Sequence, residues 1–154
     1  MLLYLLRHAD ALDAPDDDAR PLSPKGHRQI DALAKFLAKS GAFVPDEIWH
    51  SPLVRARDTA SQLAAVLRLR AKLVETSGLR PEDDPSTFPT CLVRAPAALA
   101  IVGHEPHLSA LASLLLTGKT APTVVAFPKC TLLALEGAGP RWAVHWQISP
   151  QLLA

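Results

Sequence analysis

Residues 2–11, LLYLLRHADA, hold the pattern that decides the fold. The five largely apolar residues from Leu2 to Leu6 predict a short strand that is buried on both faces, as in a parallel sheet. The strand stops at Arg7 and His8, a permanent cation beside a titratable imidazole. Because ligands of open parallel sheets lie just beyond the carboxyl ends of strands, this stretch predicts a ligand site that contains both residues.

The rest of the chain alternates helical and strand-like segments. A first helix begins after Ser23, a candidate N-cap followed by a proline, and ends before Gly41. The remaining predicted elements are a strand at 45–52, a helix at 53–69, a strand at 71–79, a short helix within 81–96, a strand at 98–102, a helix ending at Gly118, and closing strands at 123–137 and 141–149. This alternation predicts a single α/β domain over residues 1–154, a three-layer α/β/α sandwich with a mostly parallel central sheet and an antiparallel element near its end.

Composition limits the classes of partner and compartment. The chain has 154 residues, 49% hydrophobic, and its 16 cationic and 15 acidic residues leave a net charge of +1. A globular protein without a strong field is therefore expected, with neither nucleic acid nor membrane as a partner. Cys91 and Cys130 lack CxxC spacing, and the first apolar run is too short for a signal peptide. We expect a cytoplasmic protein in a reducing compartment.

Cationic and imidazole side chains follow three of the predicted strands. Arg7 and His8 follow the first strand and Arg55 follows the second, whereas His104 follows the strand at 98–102. If these strands are parallel, their carboxyl ends share one edge of the sheet and the four side chains converge. The planar fork of arginine matches phosphate oxygens, and the helix starts at Arg55 and His104 favour anions. The pattern indicates a site for a phosphoryl group.

Three motifs resemble those of the histidine phosphatase superfamily, which is also called phosphoglycerate mutase-like. LLRHADA is similar to its Arg-His-Gly signature, with Ala9 where Gly is usual, SPLVRARDTA is similar to its S-x-L-x-R-A-x-x-T-A motif, and VGHEP is similar to its later Gly-His element. The motifs follow the family's order from end to end of the chain. The compact length, RPLSPKG after the first loop and SP in the second motif resemble the short bacterial branch similar to SixA phosphohistidine phosphatase.

The resemblance implies a phosphoglycerate mutase-like fold and a role for each matching residue. His8 is the implied phosphoryl acceptor, Arg7 and Arg55 are the implied phosphate ligands, and His104 is the implied second imidazole against the phosphate. Arg20 matches a position that reaches the pocket in this branch. The alternative for Arg20 is a local ion pair with the acidic run 16–18, which is otherwise expected to be solvated.

The chemistry of the residues supports these roles. A nucleophilic imidazole must be neutral with one nitrogen free, so we expect a backbone carbonyl after His8 to accept the other N–H. Two arginines can position and neutralise a phosphoryl group without a metal, so no cofactor is expected. The HxxH spacing of His104 and His107 lacks the further ligands that a zinc site needs.

The general acid is left open by the sequence. Many relatives place a Glu after the third strand, where ETSGLRPEDDP contains Glu82 and Asp83, and Glu105 directly follows His104. We take Glu105 and Glu82 as candidates, although Glu105 is better explained as a carboxylate at a helix N-terminus. Imidazole has a pKa of about 6.5 and leaves readily once protonated, unlike an alkoxide. The lack of a clear general acid therefore favours a substrate with a cleaved N–P bond over one with a C–O–P bond.

The sequence thus predicts a metal-independent phosphatase that works through phosphohistidine and acts on a phosphohistidine protein. One alternative is a phosphomonoesterase for a small phosphorylated metabolite. The other alternative is a catalytically silent module that binds phosphate, because a fold does not guarantee an activity.

Overall fold

Six strands form one mixed sheet in the computed structural model, which describes residues 1–153. The strands are β1 (Leu2–Arg7), β2 (Glu47–His50), β3 (Lys72–Glu75), β4 (Ala98–Gly103), β5 (Leu132–Ala138) and β6 (Arg141–Ile148). Their spatial order is β3-β2-β4-β1-β5-β6. The first four are parallel, whereas β5 pairs antiparallel with β1 and with β6. The predicted mostly parallel sheet with a closing antiparallel element is confirmed.

Helices cover both faces of this sheet. They are α1 (Pro24–Ser40), α2 (Val54–Val66), α3 (Pro89–Leu92) and α4 (His107–Thr117), and short 3-10 turns lie at Asp17–Ala19, Pro85–Thr87 and Pro150–Leu152. Side chains of β1 alternate between the faces, because successive residues of a strand point in opposite directions. Tyr4 and Leu6 join the core beneath α1 and α2, whereas Leu3 and Leu5 join the core beneath α3 and α4. The result is the predicted three-layer sandwich.

The ends of α1 are the ones that the sequence predicts. The hydroxyl of Ser23 accepts a hydrogen bond from the Gly26 N–H at 2.9 Å, and Gly41 ends the helix with a φ of 65°. A Cβ on Gly26 would lie 2.1 Å from the backbone oxygen of Asp10. Only glycine therefore lets the first turn of α1 pack against the loop that follows β1.

The closing strand is shorter than predicted. We expected a strand over 123–137, but it begins at Leu132, and residues 123–131 form a loop that crosses the end of β1. Pro128 lacks an N–H for strand pairing, and Cys130 has a φ of 60°, in the left-handed region that strands do not use. The loop instead hydrogen-bonds to Arg7 and His8.

Within residues 1–153, the helices are too short or too polar to span a bilayer.

Candidate active site

The carboxyl ends of β1, β2 and β4 bring the predicted site residues to one edge of the sheet. Arg7 pairs in register with Gly103, and the His8 N–H donates to the carbonyl of Gly103 at 3.0 Å. The imidazoles of His8 and His104 consequently lie with their centroids 5.1 Å apart. Arg55 lies in the first turn of α2 and is buried, with 4% of its surface exposed.

His8 is held with one ring nitrogen free. Its Nδ1 lies 2.7 Å from the backbone oxygen of Ala9. A carbonyl can only accept, so Nδ1 carries the proton and Nε2 keeps its lone pair. Burial lowers the pKa of His8 to about 3, and the charges of Arg55, Lys129 and Arg7 act in the same direction, against the opposing hydrogen bond to Ala9. His8 is therefore neutral near pH 7, and the expected backbone acceptor for its N–H is present.

Ser51 occupies one ring nitrogen of His104, and the other ring nitrogen has no partner in residues 1–153. The Ser51 hydroxyl accepts from the Leu53 N–H at 3.2 Å and lies 2.7 Å from Nε2 of His104. If the hydroxyl donates its proton to Nε2, that nitrogen is the acceptor and Nδ1 carries the hydrogen. Burial, aided by the charges of His8 and Arg55, lowers the pKa of His104 to about 2. The neutral ring then offers Nδ1–H as a donor.

Three buried nitrogens of this cluster have no hydrogen-bond partner within the described part of the chain. They are Nε of Arg7, Nε of Arg55 and Nδ1 of His104. The arginines are otherwise engaged, since Nη1 of Arg7 donates to the Phe127 carbonyl at 2.7 Å and Nη1 of Arg55 donates to the Asp17 carbonyl at 2.8 Å. Because buried donors in proteins are nearly always paired, three unpaired nitrogens in the cluster that contains His8 fit an oxyanion.

The acidic run is exposed to solvent, as expected, but two of its residues also contact arginines. Asp17 contacts Arg55 through its carbonyl and, at 3.3 Å, through its carboxylate. Asp18 contacts both terminal nitrogens of Arg80 at 3.2 and 2.9 Å. The turn at 17–19 folds back on α2, where a buried guanidinium needs an anionic partner. Asp16 caps that turn by accepting from the Asp18 N–H.

Arg20 adopts the local alternative. Its Nε donates to the Leu12 carbonyl at 3.0 Å, and its terminal nitrogens lie 3.4 Å from Asp17 and 3.8 Å from Asp13. Arg20 therefore supports the same carboxylate that contacts Arg55.

The two candidate acids lie in different surroundings. The carboxylate of Glu105 accepts from the Ser109 N–H at 2.9 Å, at the start of α4. Burial lowers the pKa of Arg7, whereas the negative charge of Glu105 acts to raise it. The Glu105 carboxylate therefore lies near the cluster. Glu82 is exposed in the loop after β3. The neighbouring Asp83 accepts from the backbone N–H of Arg80.

Sequence reasoning missed three residues around the cluster. Thr59 accepts from the Ala9 N–H at 3.0 Å and donates to the Arg55 carbonyl at 2.7 Å, which joins the loop after β1 to α2. Ser51 and Thr59 are the Ser and Thr of the matched SPLVRARDTA motif, so that match was an available signal. Lys129 had no such signal, because only the path of the loop at 123–131 brings it near His8.

Residues 1–153 contain no group of three His, Cys, Asp or Glu side chains that could hold a metal ion together. His107 is buried, with its ring centroid 6.2 Å from that of Phe88.

Comparison with known proteins identifies relatives along the whole chain. A model of the histidine phosphatase superfamily (branch 1) matches residues 3–81. An uncharacterised protein from Picosynechococcus sp. is 34% identical over 152 residues, which cover 94% of this chain and 90% of that protein. The structure of the protein histidine phosphatase SixA complexed with tungstate superposes with a TM-score of 0.85 at 24% identity, with 100% of both chains covered. A mycobacterial glucosyl-3-phosphoglycerate phosphatase superposes with a TM-score of 0.68 at 20% identity, covering 94% of this chain and 97% of its own.

Proposed function

Because the chain belongs to the histidine phosphatase superfamily and is a phosphatase, we propose that it dephosphorylates a phosphohistidine protein through a phospho-His8 intermediate. The observation that carries this proposal is the free Nε2 of His8 beside the unpaired buried donors of Arg7, Arg55 and His104. A free lone pair in the same cluster as unpaired hydrogen-bond donors suits transfer of a phosphoryl group, whose equatorial oxygens carry the negative charge.

In the first step, Nε2 of His8 attacks the phosphorus as the bond from phosphorus to the substrate nitrogen breaks. The substrate ring, protonated on its other nitrogen, departs as neutral imidazole, so the enzyme need supply no proton. The proton on Nδ1 of His8 stays in its hydrogen bond to the Ala9 carbonyl, which stabilises the positive charge that the ring gains. Arg7, Arg55 and the N–H of His104 stabilise the phosphoryl oxygens.

In the second step, water attacks the phosphorus of phospho-His8. The Nε2–P bond breaks, its electron pair returns to the imidazole, and dihydrogen phosphate carries both protons of the water. His8 is again neutral with Nε2 free, and its low pKa keeps it so near pH 7. No step uses a metal, because two guanidiniums neutralise the charge of the phosphoryl group.

The hydrogen bonds that the nearby carboxylates accept support phosphohistidine as the substrate class. Asp17 accepts from Arg55, and Glu105 accepts from the start of α4. Each of these carboxylates accepts a hydrogen bond, and a leaving group that needs little protonation does not depend on either of them as a proton donor. The relative described as a protein histidine phosphatase has the same fold over the full length of this chain.

The decisive experiment compares substrates and traps the intermediate. We expect kcat/KM to be higher for a histidine-phosphorylated protein than for phosphoserine, 3-phosphoglycerate or p-nitrophenyl phosphate. A rapid quench should leave phosphate on His8 that is stable in alkali and lost in acid. His8→Ala should abolish turnover, whereas His27→Asn, a change at an exposed histidine on α1, should not.

Each other outcome has a definite meaning. A preference for one of the esters would support a phosphomonoesterase instead. Phosphate binding without turnover of any substrate would support a silent module. Full activity of His8→Ala, or a strict need for a divalent ion after EDTA treatment, would contradict the mechanism.

A further inference from the structure

The loop at 123–131 lies directly against the residues that carry the reaction. Nη1 of Arg7 donates to the Phe127 carbonyl at 2.7 Å, and the Arg7 N–H donates to the Thr131 carbonyl at 3.1 Å. The Cys130 N–H donates to the His8 carbonyl at 3.1 Å. The backbone of the loop therefore contacts Arg7 and His8 through residues before and after Lys129.

The ammonium group of Lys129 forms an ion pair with Asp10, close to His8 in the sequence. Its Nζ is 3.5 Å from a carboxylate oxygen of Asp10, two residues beyond His8. The side chains of Lys129 and Asp10 are 31% and 29% exposed, so this pair is partly open to solvent. The charge of Lys129 also lowers the pKa of His8, which indicates that its field reaches the imidazole.

The Asp10 carboxylate is held in place by a second contact, whereas the Lys129 ammonium can bind a further anion. The second carboxylate oxygen of Asp10 accepts from the Ser23 hydroxyl at 2.6 Å, at the start of α1. An ammonium group has three donors on a flexible stem, and one contact at 3.5 Å leaves donors for another anion.

We propose that Lys129 is a substrate-binding residue whose ammonium moves from Asp10 to an oxygen of the phosphoryl group at His8. This inference rests on the proposed function, because it concerns the same phosphoryl group. Arg7 and Arg55 supply two cations to that group, and Lys129, whose side chain is 31% exposed, supplies a third. A dianionic phosphoryl group gains more from this cation than a monoanionic one.

The competing explanation is that Lys129 only joins the loop to Asp10. Two variants separate the explanations, because they remove the same ion pair from opposite ends. Lys129→Met removes the cation. Asp10→Asn removes the partner charge, keeps an acceptor for Ser23 and leaves the cation free. Lys25→Met serves as a matched control, since Lys25 is an exposed lysine in the first turn of α1.

The first measurement is the affinity for inorganic phosphate and for tungstate by calorimetry, which needs no turnover. We expect Lys129→Met to weaken binding by about fivefold or more, roughly 1 kcal/mol. Lys129→Arg should restore most of that loss. Asp10→Asn should bind the anions as tightly as the wild type or more tightly, and Lys25→Met should change the affinity by less than about twofold.

The second measurement is kcat/KM on the best substrate, which should follow the same order. The inference is overturned if Lys129→Met binds phosphate with wild-type affinity, or if Asp10→Asn loses as much affinity as Lys129→Met. Failure of the proposed function looks different, because the wild type would then bind phosphate and either prefer one of the esters or turn over no substrate.

Discussion

Arg55 donates from Nη1 to the Asp17 carbonyl at 2.8 Å, and its Nη2 lies 3.3 Å from the Asp17 carboxylate. Both contacts use terminal nitrogens and leave the buried Nε of Arg55 without a partner in residues 1–153. Asp17 therefore holds the guanidinium in position, but its carboxylate also brings a negative charge close to any anion that Arg55 binds. The affinity of the site for anions depends on the balance of these two effects.

Replacing Asp17 with Asn tests that balance. Asn keeps the backbone contact to Arg55 and a side-chain oxygen but removes the negative charge. Because the Asp17 side chain is 68% exposed, we expect a modest gain of about 0.5 kcal/mol, or roughly a twofold tighter affinity for inorganic phosphate. Calorimetry measures this affinity, with Asp13→Asn as a control at another carboxylate near Arg20. Weaker binding by Asp17→Asn would mean that positioning outweighs repulsion.

Replacing Arg55 with Lys tests the guanidinium fork. Lysine keeps the charge but cannot hold the Asp17 carbonyl and a phosphoryl oxygen through separate nitrogens. We expect kcat/KM to fall by about tenfold or more, equivalent to roughly 1.4 kcal/mol of transition-state stabilisation. Arg57→Lys is the matched control, since Arg57 is exposed on the same helix. Equal activity of both variants would show that charge alone is sufficient at position 55.

Replacing Ser51 with Ala tests the tautomer of His104. Without the hydroxyl proton, Nε2 of His104 loses its donor and the ring is no longer restricted to the Nδ1–H form. Nitrogen NMR of the imidazole should detect Nδ1–H in the wild type and a mixture of tautomers in the variant. We expect kcat to fall severalfold, because a fraction of the molecules no longer presents the donor. An unchanged tautomer would contradict the role assigned to Ser51.

The buried imidazoles predict the direction in which stability changes with pH. The pKa of His8 is about 3 in the folded state and about 6.5 when unfolded, so between these values the unfolded chain binds more protons. The free energy of unfolding should therefore decrease as the pH falls from about 6.5 toward 4. Urea denaturation measures this decrease. His8→Asn should have a smaller decrease than the wild type over the same range, and an equal one would contradict the low pKa.

The two cysteines should differ in reactivity. Burial raises the pKa of Cys130 to about 12, so its thiolate is rare near pH 8, whereas Cys91 is exposed on α3. Iodoacetamide should modify Cys91 and spare Cys130 in the native protein, and it should modify both in urea. Mass spectrometry of the labelled peptides distinguishes the sites, with Cys91→Ser as the control. Rapid native labelling of Cys130 would show that the loop at 123–131 opens.

Much of the fold followed from local patterns in the sequence. The apolar run at 2–6, the Ser23 cap and the terminal glycines Gly41 and Gly118 act within a few residues, so their effects can be predicted without a tertiary structure. The predicted closing strand was too long because the apolar residues at 124–127 resemble a strand, while Pro128 and the left-handed Cys130 end the pairing. Backbone conformation at Cys130 is not encoded in a hydrophobic pattern.

The sequence by itself determined that His8 and His104 lie at one edge of the sheet. Each follows a strand, and parallel strands align their carboxyl ends. Only the tertiary structure decided which groups complete the cluster. Asp17 reaches Arg55 across 38 positions of the chain, and the loop at 123–131 brings Lys129 to Asp10. Such contacts depend on the paths of loops, which are set by packing against distant elements rather than by neighbouring residues.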